Sequence, residues 1–147
     1  MKNLKYEILK DFDDCLMRVE DILSDKTTTN IQLLKLGKML FGDRFKGVYC
    51  SDQNFRLKNN ECCIVNTDSS KQAGTHWCAV YRYKDHHYIW DSFGRDYHTL
   101  SKYFKYRHWT NAEFKRKESY KSSSCGQLSL TYLIIFDRFK EKCIGVI

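Results

Sequence analysis

Proline is absent from the 147 residues of this chain, against an average near 5% in soluble proteins. Proline-rich linkers and spacers are thereby excluded, and no repeat or low-complexity tract divides the chain. Long apolar runs are missing as well. The longest, Leu128 to Phe136, falls well short of the roughly 20 residues that cross a bilayer, so no membrane association is expected. The first ten residues carry charges throughout and lack the apolar centre of a secretory signal. An intracellular protein with reduced thiols is the expectation. Spaced metal-ligand pairs are a third absence. No Cys-x-x-Cys or His-x-x-x-His pair occurs, and His86 and His87, adjacent on a turn, would point apart, so no structural zinc site is expected.

What is present suits one globular domain spanning residues 1–147. The length allows a real core but leaves little room for a second domain. Hydrophobic residues make up 42% and aromatic residues 15%, which argues for a packed chain rather than a disordered one. There are seven cysteines. Six of them, Cys15, Cys50, Cys62, Cys63, Cys78 and Cys143, sit among apolar neighbours and read as small core residues.

The formal charge of +7 is unevenly placed. Residues 1–70 hold 11 basic and 11 acidic side chains, and residues 71–147 hold 14 and 7. Within the second half, Lys102, Lys105, Arg107, Lys115, Arg116, Lys117 and Lys121 are interleaved with Tyr103, Tyr106, Trp109 and Phe114. Such a mixture reads either as a DNA-binding face or as a solvated basic surface without a partner.

Periodicity gives the order of elements. Leu4, Ile8, Phe12, Cys15, Leu16, Val19, Ile22 and Leu23 recur at helical steps. Asn30 can cap a second helix that carries Ile31, Leu33, Leu34, Leu36 and Leu40 inward and ends near Gly42. Short β-type runs follow at 47–50, 62–66, 77–83 and 87–90, with Lys84-Asp85-His86 as a hairpin turn. A short helix is expected over 99–106, weaker strands over 107–109 and 114–120, and a strong helix over 125–142. Helices, then a mainly antiparallel sheet, then a C-terminal helix make an α+β fold.

Three short segments carry chemistry. Gly74-Thr75-His76-Trp77 opens a strand, Trp90-Asp91-Ser92-Phe93-Gly94 ends the next one, and Ser124-Cys125-Gly126-Gln127 starts the last helix. A thiol at a helix N-terminus meets unpaired N–H groups and the positive end of the helix dipole, which favour the thiolate. The same N–H groups can accept the oxygen of a tetrahedral intermediate. Gly126 would let a substrate carbonyl approach the backbone. His76 is the candidate base. Asp91, fifteen residues later across a hairpin, is placed either to hold the imidazole Nδ1–H and fix its tautomer or to make a structural hydrogen bond to the nearby turn. His86, His87, His98 and His108 read as surface or hydrogen-bonded residues.

With Ile64-Val65-Asn66-Thr67 and Tyr88-Ile89 added, these segments resemble the adenovirus protease (adenain) family, which extends to virophages and Maverick-type mobile elements. More distantly they resemble deconjugases of ubiquitin-like modifiers. The resemblance runs from about Leu36 to Phe139. It implies a papain-like cysteine peptidase fold with its elements in permuted order, with Cys125 as nucleophile, His76 as base and Asp91 as the orienting carboxylate, where the adenovirus enzymes usually carry Glu. It also implies maturation of capsid precursor polypeptides after small residues such as Gly-Gly. A monomer in the host cytoplasm or virus factory, packaged in the virion, would need no cofactor for its chemistry, with activation by DNA or a peptide as in relatives. One position departs from the pattern. The family places an oxyanion-binding glutamine six or seven residues before the cysteine, where this chain has Ser119 and Glu118. The oxyanion would then fall to the Cys125 N–H, alone or with Ser119 or a protonated Glu118. Two alternatives follow: a deconjugase, or a non-enzymatic basic DNA-associated virion protein on a protease fold.

Overall fold

A computed structural model describes residues 3–67, 76–95 and 124–147. Helix α1 (Leu4–Leu23) begins at Asn3, whose side-chain oxygen accepts from the Tyr6 N–H. It buries Ile8, Phe12, Val19 and Leu23 but leaves Leu4 and Ile22 exposed, so the inward stripe is narrower than its apolar spacing predicts. Helix α2 (Asn30–Phe41) is capped by Thr29 rather than Asn30. The Thr29 hydroxyl accepts from the Gln32 N–H, and the Gln32 side chain accepts from the Thr29 N–H in return. This capping box moves the helix start by one residue. Packing against Phe45 and the rest of the core turns Leu33, Leu36, Gly37 and Phe41 inward, whereas Ile31, Leu34 and Leu40 face out. Gly42, at φ 59°, ends the helix in a conformation that suits glycine.

Four strands follow: β1 (Phe45–Tyr49), β2 (Cys62–Asn66), β3 (Trp77–Tyr83) and β4 (His86–Trp90), side by side in that order. Strand β1 begins two residues before the expected run, because Phe45 is anchored beneath α2. A Cβ at Gly37 would lie 2.4 Å from the Phe45 ring, so only glycine allows that approach. The sheet is mixed. β2–β3 and β3–β4 are antiparallel, but β1 joins β2 in parallel. The β3–β4 hairpin closes on Lys84 and Asp85, both at positive φ (49° and 64°), so the turn is one residue shorter than expected and His86 joins β4 opposite Tyr83. A two-residue turn of that hand matches the twist of the strands.

Helix α3 (Cys125–Phe139) is buried along nearly its whole first ten residues and packs against α1 and β3. It is the centre of the core. Ile64, Ala79, Tyr81, Tyr88 and Trp90 meet it from one face of the sheet, with Trp90 stacked on Tyr132 at 5.1 Å between centroids. Burying a large apolar side chain of this kind contributes roughly 1.5–3 kcal/mol. The opposite face, with Cys63, Val65, Cys78, Val80 and Ile89, is covered by Phe55 and Leu57. Cys62, Cys63, Cys78 and Cys143 are core thiols as expected, whereas Cys15 and Cys50 are half-buried. Burial pushes the Cys62 and Cys143 thiols up to about 12, which keeps them neutral. After Phe139 the chain turns as a 3-10 helix (Lys140–Cys143), so the α-helix ends three residues before the predicted limit.

The C-terminal end of α3 is tied to the sheet by Asp137. Arg44 grips its carboxylate with both terminal nitrogens, at 2.7 and 3.1 Å, while Tyr81 Oη donates at 2.6 Å and Lys140 lies at 3.3 Å. Burial opposes the charge on Asp137, but these donors outweigh it and hold the carboxyl down at about 2. No helix among the described residues is long and apolar enough to cross a membrane. The expected helix over 99–106 and strands over 107–109 and 114–120 lie outside the described residues.

Candidate active site

His76 directly precedes β3, and its carbonyl accepts from the Thr67 N–H beyond the end of β2. Asp91 directly follows β4, where Ala79 pairs with Trp90. The hairpin therefore delivers both side chains to one sheet edge, and His76 Nε2 lies 2.5 Å from Asp91 Oδ1. The side chains are 6% and 0% exposed. Spacing and strand register alone account for this contact, as expected. The nitrogen is a correction. The carboxylate takes Nε2 instead of Nδ1. Nδ1 is buried and makes no hydrogen bond to nitrogen or oxygen.

Helix α3 brings the third residue. Cys125 is its first residue, and its Sγ accepts from the Trp77 N–H at 3.4 Å. One turn later, Ser129 Oγ donates to the Trp77 carbonyl at 3.2 Å, so both polar groups of the residue after His76 are clasped by α3. Ser124 precedes the helix without a side-chain cap, and Leu128 N–H is the first to find a helical acceptor, the Ser124 carbonyl. The N–H groups of Cys125, Gly126 and Gln127 thus have no partner within the helix.

Gly126 has a packing role that its neighbours in sequence do not announce. A Cβ there would lie 2.5 Å from Thr28 Cγ2 and 3.1 Å from Leu33, so its missing side chain admits the segment between α1 and α2. Gln127 points the same way. Its amide donates to the Ser24 and Lys26 carbonyls at 2.9 and 2.5 Å and is committed to anchoring the helix. Glu118 and Ser119, expected near the oxyanion, lie outside the described residues. So do the basic residues Lys102, Lys105, Arg107, Lys115, Arg116, Lys117 and Lys121, and His98 and His108.

Two residues without an expected role complete the site. The Phe93 ring stacks on the His76 imidazole, 3.9 Å between centroids and 14° from parallel, and the Phe93 N–H donates to Asp91 Oδ1 at 3.1 Å. Arg95 Nε donates to the other oxygen, Oδ2, at 2.5 Å, and its guanidinium carbon lies 5.4 Å from the Phe93 centroid. The signal in the sequence was faint: a cation four residues after a carboxylate, with an aromatic residue between them.

Electrostatics follow from these contacts. Burial favours neutral imidazole, but the hydrogen bond with Asp91, with the Cys125 and Cys78 sulfurs nearby, outweighs it and raises the His76 pKa. Burial likewise opposes the Asp91 charge, and His76 and Arg95 reverse that and lower its pKa. The pair is therefore imidazolium and carboxylate near neutral pH. Cys78, wholly buried beside the imidazole, is held above the ordinary thiol range by burial and stays protonated. His76, Cys78 and Asp91 place ligand-type atoms within 4.8 Å of one another. They suit a metal poorly, because the carboxylate is already shared by His76, Phe93 and the Arg95 cation. Among known proteins, the chain matches no family model and no curated sequence.

Proposed function

We propose that this chain is a cysteine peptidase. The observation that carries the reading is the buried Asp91–His76 pair, closed at 2.5 Å, beside a thiol that opens a helix and accepts from a backbone N–H. An imidazolium next to that sulfur, with the positive end of the α3 dipole, favours the thiolate. The sulfur attacks the scissile carbonyl, and the oxyanion is received by Cys125 N–H at the helix start. His76 Nδ1, the nitrogen not claimed by Asp91, gives its proton to the leaving amine. It then removes one from the water that hydrolyses the acyl-enzyme. Asp91 holds the ring in the tautomer this exchange needs.

The α+β architecture is compatible with a papain-like fold in permuted order, in which the cysteine helix comes last in the chain and the His–Asp hairpin before it. The motif resemblance to adenovirus proteases supports capsid precursor polypeptides, cut after small residues such as Gly-Gly, as substrates, within infected cells and virions. It also supports activation by DNA or a peptide.

Incubation with Gly-Gly-containing capsid peptides, in parallel with a fluorogenic ubiquitin-like conjugate, tests activity and separates peptidase from deconjugase. Cys125→Ala should abolish cleavage with the melting temperature retained. Cleavage that survives this substitution would remove Cys125 as nucleophile. Absence of any cleavage, together with ordinary-thiol alkylation kinetics, would favour the non-enzymatic DNA-associated alternative.

A further inference from the structure

Arg95 lies on the far side of Asp91 from His76, and it is connected to the imidazole by two routes. Its Nε occupies Asp91 Oδ2, while His76 and the Phe93 N–H share Oδ1. Its guanidinium also lies over the ring of Phe93, whose plane is stacked on the imidazole. Only 19% of the Arg95 side chain is exposed and none of the Asp91 side chain, so water screens this pair weakly. Among the described residues, the titratable and charged groups facing the imidazole are Asp91 and Arg95 after β4, Cys78 on β3 and Cys125 on α3.

A carboxylate left to His76 alone would spend its whole charge on holding the imidazolium. Such an imidazolium is a poor acid, and the peptidase cycle requires it to release its proton to a leaving amine. A cation on the opposite oxygen withdraws part of that charge and adds a positive field that favours the thiolate. We propose that Arg95 is a positioning residue that sets the protonation balance of the His76–Cys125 pair, by occupying the outer oxygen of Asp91 and bracing the Phe93 ring against the imidazole. This rests on the peptidase reading of the site.

Removing the positive charge must raise the pH at which both groups lose their protons. A structural anchor of the turn would instead change stability or amplitude without moving either midpoint. The separating variant is Arg95→Gln, which can still donate to Oδ2 but carries no charge. Arg95→Lys restores the charge.

Two readouts apply without a substrate. The first is the pH dependence of iodoacetamide alkylation at Cys125, located by peptide mass spectrometry. The second is NMR titration of the His76 ring carbons. In R95Q, the acid limb of alkylation and the His76 midpoint should both move upward by about 0.5–1 pH unit, and R95K should return both to the wild-type positions. Superimposed wild-type and R95Q curves in a folded variant would overturn the role of Arg95 while leaving the peptidase reading intact. Wild-type Cys125 alkylating as an ordinary thiol would instead overturn the peptidase reading itself. If R95Q does not fold, Arg95→Met serves as the second uncharged variant. A chain that folds with neither would mark the guanidinium as a structural anchor and end the proposal.

Discussion

Replacing Gly126 with alanine separates two roles that a glycine beside a nucleophile can have. If the glycine admits substrate, the variant keeps its stability and loses activity. If it admits Thr28, the fold itself must give. A Cβ at 126 would sit 2.5 Å from Thr28 Cγ2 and 3.1 and 3.3 Å from the two Leu33 methyls. Ordinary carbon contacts lie at roughly 3.5–4.0 Å, so about an ångström of overlap must be relieved by shifting either the α1–α2 segment or the start of α3. Overpacking of this kind costs about 1–3 kcal/mol, and the gain of about 1 kcal/mol in helix propensity offsets part of it. The melting temperature should fall by a few degrees. Because Cys125 is the preceding residue, the same shift moves Sγ from the Trp77 N–H, and an ångström of misplacement is worth about 10²-fold in rate.

The companion variant is Thr28→Ser, which removes only the clashing methyl and keeps the hydroxyl that donates to Gln32 Oε1. The Thr28→Ser/Gly126→Ala double variant should recover most of the melting temperature and of the peptidase activity. Thermal melts and kcat/KM on the wild type and the three variants make the measurement. A single G126A variant that melts like wild type yet is inactive, with no recovery on adding T28S, would refute the packing account and restore the substrate-access one.

Asp91→Asn should retain the fold and lose about 10–100-fold in kcat/KM, the worth of a hydrogen bond to a charged partner. The Phe93 N–H selects the rotamer with the amide oxygen toward His76; Asp91→Ala, lacking that oxygen, should lose about 10³-fold or more, and equal losses would deny Asp91 an orienting role. Acid unfolding should report Asp137. Its carboxyl is held at about 2 against an ordinary 3.8, so the folded state binds fewer protons, and on the order of 2 kcal/mol of stability is present above pH 4 and lost as pH falls toward 2. In Asp137→Asn that loss should be absent from a denaturation series run between pH 5 and 2, with lower stability throughout, and an unchanged slope would contradict the assignment.

Much of this arrangement was legible because it rests on local rules. The two-residue turn at Lys84 and Asp85 fixes the hairpin register, and the register places Asp91 beside His76 with no tertiary information. The helical period of α3 and its start at Cys125 were equally plain. What stayed hidden depends on orientation. On α2 the apolar spacing makes the inward stripe too broad: Leu33 and Leu36 are buried, but the inner face closes on Gly37 and Phe41 rather than on Ile31, Leu34 and Leu40. The imidazole nitrogen facing Asp91 is set by how the ring leaves the strand. Phe93 and Arg95 lie in a turn, where periodicity is silent, and their roles arise only when the turn folds back over His76. Gly126 was read from its neighbour in sequence, when its reason is a methyl group 98 positions away.

The clasp of α3 on Trp77 also bears on when in folding the site becomes competent. His76 and Asp91 meet across 15 residues of chain, Cys125 reaches the Trp77 N–H across 48, and Gln127 holds the helix start to Ser24 across 103. Low sequence separation favours early contacts. The acid–base half of the site is thus a local structure, able to form as the hairpin closes. The Cys125 thiol joins His76 and Asp91 only when contacts between distant parts of the chain are made, so the assembled trio should be among the last features this molecule acquires.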